Sequence, residues 1–211
     1  MEYNLNVITV AKKNIELNKK NKINVVEKSY YPHTRDLLAL LIAKNSTKKI
    51  LDFGSNIAVL SNLNNKIITK KKKFIIYDPF FKFGNKLKIK NIEYKIVNNL
   101  EEVYKTSFDL LHLGSCLQYI ENYDLYLKML KFNKNAKIFI SATPININHD
   151  YITKQTNHKN LFQKVHSLKK IINFFNKRKF KLIFKSCMNI DYAKLRFVKK
   201  HTYFMNLVLS K

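Results

Sequence analysis

Five short, nearly continuous apolar runs constrain this chain most: Lys49–Phe53 (KILDF), Phe74–Tyr77 (FIIY), Tyr94–Val97 (YKIV), Phe108–Leu113 (FDLLHL) and Lys137–Ser141 (KIFIS). Each is too short for a helix, and helix-compatible or loop segments separate them. A half-exposed strand alternates apolar and polar residues, whereas a run without alternation fits a parallel strand covered on both faces. Two further apolar segments, Phe180–Phe184 and Thr202–Leu209, close the chain as a hairpin-like pair. The expected fold is α/β, a doubly wound, seven-stranded, mostly parallel sheet with an antiparallel edge strand.

Helices fill the gaps. Thr34 is the expected N-cap of a helix through Leu37, Leu38, Leu41 and Ile42, because Pro32 pushes Tyr31 out of helical backbone angles and ends the segment before it. Ser167 is the expected N-cap of a second helix through Leu168, Ile171, Ile172 and Phe175. No repeat and no linker rich in Pro, Gly or Ser divides the sequence. Residues 1–33 read as a polar helical lead-in and residues 34–211 as the single α/β domain. A chain of 211 residues buries roughly 70% of its unfolded surface, so it needs no disulfide or metal staple. Cys116 and Cys187 form no framework.

The formal charge of +26 points first to nucleic acid. The kind of base argues otherwise: Arg35, Arg178 and Arg196 are the only arginines among 40 basic residues. Phosphate readers favour arginine for its bidentate fork, and Lys, Asn and Ile share A/T-rich codons. Nucleic acid is therefore an unlikely partner, and the run Lys70-Lys71-Lys72-Lys73 reads as a solvated loop. The first thirty residues carry no apolar signal core, and no stretch approaches ~18 apolar residues. No membrane span and a cytoplasmic location are expected.

In an open α/β sheet, ligands bind outside the carboxyl ends of the strands. There the first strand gives Asp52, Phe53, Gly54 and Ser55, with Gly54 allowing a tight turn and close approach of backbone to ligand. The second strand ends at Asp78, an acid placed to accept the hydroxyl hydrogens of a ribose. The fourth ends in Ser115, Cys116 and Leu117, the floor of the site. Asp52, Gly54, Ser55, Asp78, Ser115, Cys116 and Leu117 are the candidate cofactor-binding residues. The set lacks the second and third glycines of a dinucleotide fingerprint, which suits a nucleoside cofactor without phosphates. For Cys116 a small buried packing role competes, as does a plain turn role for Asp78.

The segments Leu51–Gly54 (LDFG), Leu117–Ile120 (LQYI), Thr143-Pro144 and Ile152–Gln155 (ITKQ) together resemble a bacterial family of S-adenosylmethionine-dependent methyltransferases, over most of the chain from about Tyr30. Ser55 and Ala58 stand where such members usually carry glycine, and Ala142 where an arginine commonly precedes Thr-Pro. The resemblance implies a Rossmann-like domain of the class I methyltransferase type, with S-adenosylmethionine as cofactor. It also implies O-methylation of a small molecule or surface-glycan precursor. Two alternatives stay open: a catalytically silent methyltransferase-like interaction domain, and an RNA-directed methyltransferase or binding protein.

Methyl transfer to an oxygen needs a base. His149 beside Asp150, in the loop expected after strand five, is the candidate, against a plain solvated histidine. Tyr119, Thr143 and Gln155 are the candidate substrate-binding residues. His112, inside strand four, reads as a satisfied core histidine. His33, His158, His166 and His201 show no metal-ligand spacing, so no metal is expected.

Overall fold

The computed structural model describes residues 32–54, 60, 63, 67–79, 89–155, 161–188 and 195–211. Of the expected lead-in over residues 1–33, residues 1–31 lie outside them, as does the candidate Ser55, while residues 32 and 33 belong to the first helix. Helix α1 (Pro32–Ala43) comes first. Pro32 opens it, which corrects Thr34 as N-cap: proline's fixed φ suits the first helical position, where no N–H partner is required. Thr34 sits inside the first turn, and its hydroxyl reaches 3.3 Å to Asn206 Oδ1 on the far side of the sequence.

The five apolar runs become β1 (Lys49–Phe53), β2 (Lys72–Tyr77), β3 (Ile92–Val97), β4 (Ser107–Gly114) and β5 (Lys131–Asn146). They pair in parallel in the order β3-β2-β1-β4-β5. Between β3 and β4 runs α2 (Leu100–Tyr104), and between β4 and β5 runs α3 (Tyr123–Leu127). After β5 come β6 (Tyr151–Lys154), β7 (Phe162–Ser167) and α4 (Leu168–Asn176). As expected, Ser167 caps α4, its Oγ accepting from the Lys170 N–H at 3.4 Å. Finally, β8 (Lys181–Met188) turns back through β9 (Thr202–Ser210), which runs antiparallel to both β8 and β5. Among the described residues, no helix is long and apolar enough to cross a membrane.

Alternate residues of each strand face opposite layers. Leu51, Phe53, Leu111, Leu113, Ile138 and Ile140 join α4 in one core. Ile50, Leu110, Phe139 and Val208 join α1 in the other. At the amino edge, Asp109 Oδ2 accepts the N–H groups of Lys48 and Lys49, both at 2.8 Å, and ties β1 to β4.

Two expectations for loops are corrected. The lysine run is not all solvated: Lys72 starts β2, is 1% exposed, and donates from Nζ to the carbonyls of Thr47 (2.6 Å) and Lys44 (2.8 Å). Its aliphatic stem allows this burial while the ammonium finds oxygen partners. The stretch from Thr143 to Gln155 is largely strand, because β5 runs five residues past Ser141, where β4 stops, and β6 follows. Over Ile145 and Asn146, β9 holds one edge of β5 and β7 takes the other, pairing Ile145 with His166 and Asn146 with Ser167. A strand has two edges, so β7 occupies the side that β4 fills lower down. The β6–β7 hairpin therefore stands over the carboxyl end of β4.

Candidate active site

The carboxyl ends of β1 and β4 interlock. Gly54 has φ +79°, a backbone geometry that L side chains rarely adopt. A Cβ on it would lie 2.9 Å from Cys116 Cβ, so the two turns meet with no room for one. The Cys116 thiol donates to the Phe53 carbonyl at 2.9 Å. Burial pushes its pKa far up, with the charge of Asp52 adding to the effect. A thiol so placed packs and hydrogen-bonds; it is no nucleophile. Leu117 is fully buried in the same turn, whereas Ser115 is exposed, with φ +51° and its hydroxyl donating to the Ala142 carbonyl. At the end of β2, Asp78 is half-buried and its N–H continues the ladder to the Val97 carbonyl at 3.0 Å. Gly54, Asp78 and Ser115 are thus brought to one edge.

Asp52 turns away from that edge into the layer beneath α1, directly beside its pairing partner His112. His112 Nδ1 lies 3.0 Å from Asp52 Oδ1, and Nε2 lies 2.8 Å from Ser141 Oγ on β5. A carboxylate only accepts, so Nδ1 carries the proton, and in the neutral ring Nε2 accepts from the serine hydroxyl. His112 is the satisfied core histidine expected; its partner Ser141 was not anticipated. Gly114 makes space for the ring, since a Cβ there would fall 2.5 Å from His112 Cε1. The polar row continues into β9. A bulge between Ile140 and Thr143, with Ala142 at φ +49°, frees the Ala142 N–H, which donates to Asn206 Oδ1 at 2.9 Å. Asn206 Nδ2 in turn reaches Ser186 Oγ on β8.

The candidate acceptor residues divide. Thr143 is fully buried in β5 and its hydroxyl donates to the Ser141 carbonyl at 3.0 Å. Tyr119 and Gln155 meet: Gln155 Nε2 donates to the Tyr119 hydroxyl at 3.0 Å. Gln163 of β7, which sequence reasoning missed, donates to the same oxygen at 3.0 Å. Burial raises the Tyr119 pKa, against the opposing pull of the Gln163, Gln118 and Gln155 amides around its oxygen. His166 fixes the hairpin to this turn, its Nε2 donating to the Leu117 carbonyl at 2.9 Å.

His149 and Asp150 do not act as a pair. His149 is exposed in the turn after β5, and its N–H donates to Asn146 Oδ1. Asp150 faces α4 instead, where Oδ1 accepts the Ser167 N–H at 2.6 Å and Oδ2 accepts from Lys170 Nζ at 2.7 Å. Burial alone would raise its pKa, but these hydrogen bonds outweigh that and hold it below the usual carboxylate range.

The sequence matches no protein-family profile and no curated protein. The fold, however, is similar to solved methyltransferases. A Burkholderia thailandensis 1,6-didemethyltoxoflavin-N1-methyltransferase, bound to 1,6-didemethyltoxoflavin and S-adenosylhomocysteine, aligns over 98% of this chain and 87% of its own, at 10% identity and TM-score 0.57. Coclaurine N-methyltransferase, bound to N-methylheliamine and S-adenosylhomocysteine, aligns over 83% and 71%, at 10% identity and TM-score 0.57. An S-adenosylmethionine-dependent methyltransferase from Mesorhizobium loti aligns over 84% and 98%, at 11% identity and TM-score 0.51. At these identities the likeness establishes the Rossmann-like methyltransferase fold.

Proposed function

We propose that this protein is an S-adenosylmethionine-dependent methyltransferase that modifies a small molecule or a surface-glycan precursor, by O-methylation. One observation carries the reading: in a sheet like those of methyltransferases solved with S-adenosylhomocysteine, Gly54 at φ +79° packs under Cys116 and leaves a bare backbone turn at the carboxyl edge. Asp78 and Ser115 border that turn, and the candidate Ser55 lies outside the described residues. Asp78 accepts the ribose hydroxyls, and the Gly54 and Ser115 backbones lie against the rest of the nucleoside. Asp52, Cys116 and Leu117 hold the two turns in place from beneath.

The cofactor supplies an electrophilic methyl group on sulfonium. The chain's own part is to align the acceptor with it, which contributes roughly 7–11 kcal/mol through orientation, and to take the acceptor's proton. His149, exposed at the turn where β5 ends, is the base in this reading. Tyr119, in the turn after β4, and Gln155, just after β6, hold the acceptor, with Thr143 within β5 as the third candidate. Among the described residues, a cluster of lysines lies away from this site. The basic groove lined by Lys48, Lys49, Lys70, Lys71 and Lys73 lies at the opposite, amino edge of the sheet.

Isothermal titration with S-adenosylhomocysteine tests the reading. Micromolar or tighter binding is expected. No heat and no thermal shift at millimolar ligand would remove the enzyme and leave a silent domain of the same fold.

A further inference from the structure

The roof of the acceptor side has an unusual interior. Position 162 of β7 is phenylalanine and faces out, 40% exposed, while Gln163 beside it faces in, 2% exposed. Gln118, in the turn below, is 6% exposed. Gln163 Nε2 donates to the Tyr119 hydroxyl, and Gln118 borders the same oxygen. Each amide's oxygen is bonded to the same carbon as its nitrogen, so both carbonyl oxygens belong to this cluster. Neither Gln118 Oε1 nor Gln163 Oε1 has a hydrogen-bond partner among the described residues. Buried acceptors are almost always paired, and each exception asks for an explanation. Tyr119 and Gln155 are half-buried and give the cluster its accessible side. The hairpin that carries Gln163 pairs with β5 only through Ile145–His166 and Asn146–Ser167, and His166 ties it to the Leu117 carbonyl below.

We infer that Gln118, Tyr119, Gln155 and Gln163 form the acceptor-recognition site, and that it takes a neutral group carrying adjacent hydrogen-bond donors, hydroxyls or amide N–H. This rests on the methyltransferase reading and adds the substrate's chemistry to it. Two carbonyl oxygens ask for two donors, which a carboxylate or phosphate lacks. An ammonium has the donors, but glutamines give it no counter-charge, and burying an unpaired charge costs far more than burying a hydroxyl. Glutamine amides also hold their geometry whatever the pH, so recognition is set by shape and donors alone. A site built to satisfy donors rejects analogues that lack them strongly, because its own acceptors are then left unpaired.

The test uses the full chain with glutamine side chains labelled by nitrogen-15 and saturated with S-adenosylhomocysteine. Four probes are titrated: methyl α-D-glucopyranoside and myo-inositol (neutral, adjacent hydroxyls), acetate (anionic, without donors) and methylammonium (cationic). The neutral probes are expected to shift the side-chain amide signals of Gln118 and Gln163 at millimolar concentration, and the charged ones to need at least tenfold more. Gln163→Leu and Gln118→Leu should each weaken the neutral probes at least tenfold and leave S-adenosylhomocysteine affinity unchanged. No shift from either neutral probe, equal response to acetate or methylammonium, or wild-type response in both variants would overturn the inference. Loss of S-adenosylhomocysteine binding by the wild type overturns the methyltransferase reading instead, and the two failures are read separately. If either variant does not fold, the wild-type titration still decides.

Discussion

His112 is clamped between Asp52 on β1 at 3.0 Å and Ser141 on β5 at 2.8 Å, so three neighbouring strands share one hydrogen-bonded chain. All three residues are at least nine-tenths buried. His112→Ala leaves the carboxylate and the hydroxyl without this partner, and about 3 kcal/mol of stability should be lost. Gly114→Ala should cost about 1–3 kcal/mol by driving a Cβ into the ring. In the His112→Ala background that second cost should largely vanish. Urea denaturation of the double-mutant cycle measures the coupling, and additive losses would show that the ring does not occupy Gly114's space.

At the edge itself, Asp78→Ala should weaken S-adenosylhomocysteine about ten- to a hundredfold while the fold persists, since charge-assisted hydrogen bonds to two hydroxyls contribute about 1.5–3 kcal/mol. Gly54→Ala should weaken both fold and ligand, because φ +79° and the 2.9 Å contact with Cys116 act together. Calorimetry on the two variants separates a contact from a backbone requirement. An unchanged dissociation constant for Asp78→Ala makes that residue a turn element.

His149 and Asp150 should part company in kinetics. With an acceptor in hand, His149→Ala should lower turnover by about a hundredfold and leave cofactor affinity unchanged. Asp150→Asn should leave the pH profile of turnover where it was and lower the melting temperature, because its partners are Ser167 and Lys170 of α4. Equal turnover of wild type and His149→Ala would make that histidine a surface residue.

Acid should loosen the hairpin. Burial lowers the folded-state pKa of His166 below its ordinary ~6.5, so the unfolded chain binds the proton more readily. Its contribution is complete above about pH 6.5 and is lost as pH falls below that. Asp150, also depressed, adds a second loss below about pH 4. Protection factors at Ile120 and Val165, taken relative to the intrinsic exchange rate at each pH, should fall between pH 7 and 5 in the wild type. The fall should be absent in His166→Gln.

Some of these residues are legible in the sequence and others are not, for physical reasons. The parallel strands were legible because burial on both faces writes itself as an unbroken apolar run, as in Phe74–Tyr77. The edge residues Gly54, Asp78 and Ser115 followed from strand ends alone. The β6–β7 hairpin was not legible, since its inward position 163 is polar and its outward position 162 apolar, which inverts the pattern that marks a strand's buried face. Gln163 was missed for that reason, although Tyr119 and Gln155, which it joins, were found. Asp150 misled because neighbours in sequence on an irregular turn need not face the same way. Lys72 misled because four lysines in a row carry no sign of which one will bury its stem.

The reach of β5 beyond Ser141 also bears on descent. Its last residues carry the hairpin like a bracket fixed to a finished wall, joined at Ile145 and Asn146 and nowhere else along β5. Along β6 and β7 the remaining pairing is between those two strands, and β1 to β4 take no part in it. If the hairpin carries the acceptor as proposed, a lineage using this scaffold is free to change its clientele there while the opposite turns, locked by Gly54 and Cys116, stay as they were.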